Sequence, residues 1–165
     1  MTRRTRMVTA AALVSMAAVG CASMQAQPKM TAEEAIATRQ KLMKSQGEAW
    51  KSIQDKTKAG EITAIVPDAE KLAATSQEIP KLFPEGSLNP EKSAAKPEIW
   101  AKWPDFEAAA KNLQTQAEKL RDTAKTGDTA ATQQVVSTFG RQACGTCHTP
   151  FRVPPPQQQP AAPRT

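Results

Sequence analysis

The sequence predicts an all-α protein, an antiparallel up-down-up-down four-helix bundle, on three observations. Alanine, lysine, glutamate and glutamine dominate the middle of the chain, and these are good helix formers. Runs of β-branched residues bounded by turn signals are missing. Apolar residues recur at helical spacing in long stretches that end at glycine or proline. At 165 residues the chain has the length of one domain with tails.

The first element is not part of the bundle. Arg3, Arg4 and Arg6 precede the apolar stretch "MVTAAALVSMAAV" and the small residues "GCAS". This has the make-up of an export signal over residues 1–26 and is too short to span a membrane. Two processing routes fit it. Ordinary cleavage falls after Ala22 or Ala26; lipoprotein cleavage falls before Cys21, although Ala18 stands where leucine is usual. The expected location is therefore the periplasm, as a soluble protein or, with Cys21 lipidated, one anchored to a membrane. The three arginines also inflate the charge. Without them the chain has 22 − 3 = 19 basic residues against 16 acidic, and these alternate along it. That balance argues against nucleic acid.

Thr31 with Glu34 forms a capping box, so helix one is expected over 32–58. Ile36, Met43 and Trp50 recur every seven residues, flanked by Leu42 and Ile53. Gly47 lies beside this stripe. A mid-helix glycine costs about 1 kcal/mol relative to alanine, which implies that something bulky approaches there. Helix two is expected from Pro67 to Ile79, with Ala69, Leu72, Ser76 and Ile79 inward and Pro80 as its stop. Residues 80–103 are irregular, with one helical turn at "PEIWAK". Pro104 opens helix three, whose inner face holds Phe106, Leu113 and Leu120 beside Ala109, Ala110, Ala117 and Ala124; Gly127 ends it. Asp128 or Thr126 caps helix four, which carries Val135, Val136, Phe139 and Ala143 inward. Pro150 removes a backbone donor, so this helix is expected to end or kink near His148. The four-helix domain is expected over 27–152. Residues 153–165 are rich in proline and glutamine and read as a disordered tail.

The chemistry is concentrated in "CGTCH". Cys144, Cys147 and His148, the only histidine, form the C-x-x-C-H pattern of covalent haem attachment. Two thiols on one helical face can add to the two vinyl groups along one porphyrin edge, and the adjacent imidazole can bind the iron. One haem c per chain follows, a flat apolar mass for a core that has 4% aromatics and no tyrosine. A thioredoxin-like pair would need a strand-to-helix turn. Structural zinc would need four ligands. A small disulfide would leave His148 unexplained. On the opposite face, Met43 sits mid-stripe on helix one. A thioether is a good second axial ligand, and it is also an ordinary core side chain.

"CGTCHTPFR", "RQKLMKSQG", "IPKLFPEG" and "PEIW" together resemble the class II c-type cytochromes, the cytochrome c′ family, over residues 31–152. The resemblance implies one of two branches. In cytochrome c′ proper the iron is five-coordinate and binds NO or CO; in the low-spin branch a helix-one methionine completes the coordination of an electron carrier. "QKLMK" with Gly47 and "PKLFP" is similar to the second, with His148 and Met43 as iron ligands. It further implies that Arg39 approaches a haem propionate and that Arg152 and Phe151 follow the attachment motif, with Pro150 a departure. Trp50, Trp100 and Trp103 read as core or lid residues. No constellation of acid, base and nucleophile points to an enzyme. The expected partners are redox proteins, with a homodimer an option.

Overall fold

The computed structural model describes residues 30–154; the export segment with Cys21, and residues 155–165 of the tail, lie outside the described residues. Helix α1 runs Ala32–Lys58, opened by the reciprocal Thr31–Glu34 capping box. A 3-10 turn, Thr63–Ile65, leads into α2, Val66–Ser76, so Pro67 is its second residue and not its first. Helix α2 also stops three residues short of Ile79. The amides of Glu78 and Ile79 donate to the carbonyls of Thr75 and Ser76, so the end tightens into i→i−3 bonds. Pro80, lacking an N–H, cannot carry the helix further. Ile79 still points inward and is buried.

Helix α3 is the single turn Glu98–Ala101. Helix α4 follows as Trp103–Lys125, with Pro104 at its second position and Lys102 in a non-helical conformation between the two. Gly127 reverses the chain at φ 73°. Asp128 then caps α5, Thr129–Phe139, by accepting from the Ala131 amide at 2.9 Å.

The last helix corrects the expectation at His148. Its irregularity comes earlier, as a π-helical segment Gly140–Gly145, and α6 continues Thr146–Phe151 with Pro150 inside it. Pro150 forfeits only the bond to the Thr146 carbonyl. The Arg152 amide still reaches the His148 carbonyl at 3.2 Å, and the chain then becomes extended.

The helices form a bundle in which α2 packs on α1 and α4, while α5, the π segment and α6 pack on α4. Ala69, Leu72, Phe106, Leu113, Ala117, Leu120 and Ala124 are buried as their periodicity requires. Val135 and Val136 are only half-buried, and Thr132 joins Phe139 in the fully buried places on α5. No strand occurs among the described residues beyond one bridge, Ala95 with Arg152. That bridge stitches the long connection to the end of α6: the Lys96 amide donates to Phe151 at 3.0 Å and the Val153 amide to Ala94 at 2.8 Å. None of the described helices is long and apolar enough to cross a membrane.

Candidate haem site

One cavity of about 540 Å³ lies between α1, α4 and the π–α6 segment. Residues 39, 43, 46 and 50 fall at intervals of four, three and four, which places them on one face of α1. That face presents Arg39, Met43, Gln46 and Trp50 to the cavity. Phe106, Ala110 and Leu113 form the α4 wall, and Cys144, Cys147 and His148 the third. A Cβ added at Gly47 would meet nothing within 4 Å, and Gly47 lines this cavity. The space that its missing side chain implied is therefore present.

Both thiols are free and half-buried. Burial raises the Cys144 thiol, and burial with the neighbouring Cys144 pushes Cys147 up to about 11. Both are therefore neutral thiols at pH 7. His148 stands exposed at the lip of the cavity. Its pKa is lowered, first by the partial desolvation of the ring beside the cavity and then by the charge of Arg152. A neutral imidazole has the free lone pair that a metal needs. Among the described residues no group of three His, Cys, Asp or Glu side chains could hold a bare metal ion.

Arg39 is 3% exposed, and no carboxylate pairs with it among the described residues. Its terminal nitrogens donate to the Leu82 carbonyl (3.4 Å), the Ser87 Oγ (3.0 Å) and carbonyl (2.9 Å), and the Ser93 Oγ (2.9 Å). Its guanidinium lies 4.5 Å over the Phe83 ring. Desolvation lowers its pKa, yet it stays cationic. The expected propionate contact is thus joined by a structural task, since Arg39 clamps the connection after α2. A buried cation without a counter-charge is costly. A ligand with carboxylates in the adjoining cavity supplies one.

The residues fit a porphyrin. The walls are mostly apolar, two thiols and an imidazole share one side, and a lone buried guanidinium marks where anionic groups are favoured. Sequence reasoning missed Gln46. It is 8% exposed, lines the cavity, and donates Nε2 to the Thr75 Oγ at 3.0 Å. Its position three residues after Met43, on the same helical face, was the available signal. Asn112 and Thr146, which bond to each other at 3.2 Å beside the cysteines, gave no signal at all.

Residues 34–152 match the family model described as Cytochrome C′. The chain belongs to the cytochrome c′ family. Family members carry a covalently bound c-type haem. A cytochrome c′ of Pararhodospirillum photometricum is 36% identical over 84 residues, 51% of this chain and 66% of that protein. A cytochrome c-556 of Agrobacterium fabrum is 33% identical over 90 residues, 54% and 59% of the two chains. The chain thus spans less than two thirds of the length of these curated relatives. The crystal structure of cytochrome c′ from Thermochromatium tepidum superposes with TM-score 0.66 at 26% identity, covering 76% of this chain and 99% of that one. A further cytochrome c′ structure, described as having a ligand-controlled dimer dissociation, matches at TM-score 0.68 and 25% identity over 75% and 98%.

Proposed function

We propose that this cytochrome c′-family protein is an exported electron carrier whose haem iron is held by His148 on α6 and Met43 on α1. One observation carries the reading. Met43 and His148 line the same cavity, one from α1 and the other from α6. When bound, the haem supplies one-electron chemistry, its iron alternating between ferrous and ferric. The chain does the rest. Cys144 and Cys147 fix the group to the α6 side, His148 offers a neutral nitrogen, and Met43 a soft sulfur that raises the reduction potential. Arg39 balances propionate charge. The curated relatives named cytochrome c-556 add support. Periplasmic residence and redox-protein partners belong to the same reading, and the dimeric relative makes a homodimer part of it.

A second reading is favoured by the family itself. The matching model and two curated relatives, 36% and 34% identical, are cytochromes c′. On that reading the distal face is open for NO or CO, and Met43 is a gate. The names of the relatives lean this way; the thioether on the cavity wall leans to the first. The visible spectrum of the purified ferric protein separates them. A low-spin spectrum with the methionine–iron charge-transfer band, lost in Met43→Ala, supports the carrier. A high-spin spectrum, with rapid CO uptake after reduction that Met43→Ala leaves unchanged, removes it in favour of gas binding.

A further inference from the structure

The strongest unassigned feature lies behind the two cysteines. The Asn112 side chain, from the middle of α4, donates Nδ2 to the Gln142 carbonyl at 2.6 Å and to the Thr146 Oγ at 3.2 Å. A carbonyl can only accept, so the amide nitrogen must be the atom that faces it. The Thr146 hydroxyl has a single proton, shared between the Ala143 carbonyl at 3.0 Å and the Gln142 carbonyl at 3.3 Å, which leaves a lone pair for Asn112. The two Asn112 amide protons therefore go to Gln142 in the π segment and to Thr146 at the start of α6, on either side of Cys144 and directly before Cys147.

That segment alters where the last helix points. Phe139, Ala143, Cys147 and Phe151 follow at four-residue intervals and all face the interior or the cavity. In a regular α-helix each four-residue step advances by about 40°, so Phe139 and Phe151 would lie about 120° apart. The wider π turn takes up this drift. A π turn is rare and depends on outside support, and α4 provides it through Asn112.

We propose that Asn112 is a positioning residue for haem attachment: its amide holds the π turn at Gly140–Gly145 so that Cys144 and Cys147 both face the cavity. The assignment rests on the haem reading of the site. It also explains the threonine of "CGTCH", whose hydroxyl receives the Asn112 amide.

The test compares parent, Asn112→Leu, Asn112→Gln and Thr146→Val proteins, produced with the apparatus that attaches haem to exported cytochromes. Haem per chain is measured by mass spectrometry, and hydrogen exchange is followed along residues 140–147. Asn112→Leu keeps its far-ultraviolet helicity, loads several-fold less haem and exchanges about tenfold faster in this segment, the effect of a lost hydrogen bond. Asn112→Gln recovers part of both. Thr146→Val costs less in Asn112→Leu than in the parent, because the two residues share one of their contacts. Parent-like loading and exchange in Asn112→Leu overturn the assignment alone, as does acceleration spread evenly over all helices. A colourless parent overturns the haem reading itself.

Discussion

Replacing both thiols, in Cys144→Ser/Cys147→Ser, severs the covalent links at the cost of one atom at each site. Without the haem, the cavity must collapse, fill with water or stand empty. At about 24 cal/mol per Å³, an empty space of 540 Å³ costs about 13 kcal/mol. That rivals the whole stability of a domain, about 5–15 kcal/mol. Water entering past Gly47 and His148 makes the figure an upper bound. The damage should be uneven, since Ile53, Ile65, Ala69, Leu120 and Ala124 are fully buried and none of them lines the cavity. The double variant should therefore keep slow hydrogen exchange around these residues, exchange faster along the cavity walls, and melt broadly well below the parent. Calorimetry with residue-resolved exchange reads both effects. A sharp two-state transition at the parent temperature would refute the claim that the cofactor is part of the core.

Arg39→Met, which keeps bulk but loses every donor to residues 82–93, should lower stability in urea by about 3 kcal/mol. Its exchange rates should rise first in that connection, and Arg39→Lys, without the planar fork, should rescue little. The Glu34 carboxyl is held below its ordinary 4.5 by the Thr31 amide and then the Thr31 hydroxyl. The unfolded chain therefore takes up that proton first, so the cap's contribution is complete above about pH 5 and fades as pH falls through the folded value. Glu34→Gln should flatten that part of the acid limb in melts taken between about pH 5 and 3. Two glycines should behave oppositely. Gly127→Ala forces a side chain to φ 73° and should cost about 1 kcal/mol. Gly47→Ala should gain about 1 kcal/mol in the haem-free double variant, a gain that shrinks or reverses in the loaded protein if the porphyrin occupies the space beside it.

Much of this protein was readable from its residues because the deciding relations are local. Capping at Thr31 and Asp128, the chain reversal at Gly127 and the inward faces of α1 and α4 depend on neighbours within a turn or two, and each was found where the pattern put it. The same holds for the chemistry: spacing along one helix is enough to pair two thiols with an imidazole, and the family match bears out the covalent haem. The errors came where distant groups intervene. With Pro150 following, the helix was expected to end or kink near His148. Side-chain donors from Asn112 and Thr146 stabilise a π turn further upstream, and α6 runs on to Phe151.

Arg39 makes the same point. Along α1 it is one cation among several, since its partners lie more than forty residues away at Leu82, Ser87 and Ser93. Only folding brings those oxygens around it and removes water from the guanidinium. The sequence by itself determined which segments become helices, which face of each is apolar and where the attachment motif lies. The tertiary structure alone decided how far α1 stands from α6, what holds the buried charge and how the last helix is turned toward the cavity. Hydrogen bonds between remote elements act on the last two, and their partners are not written in any local repeat.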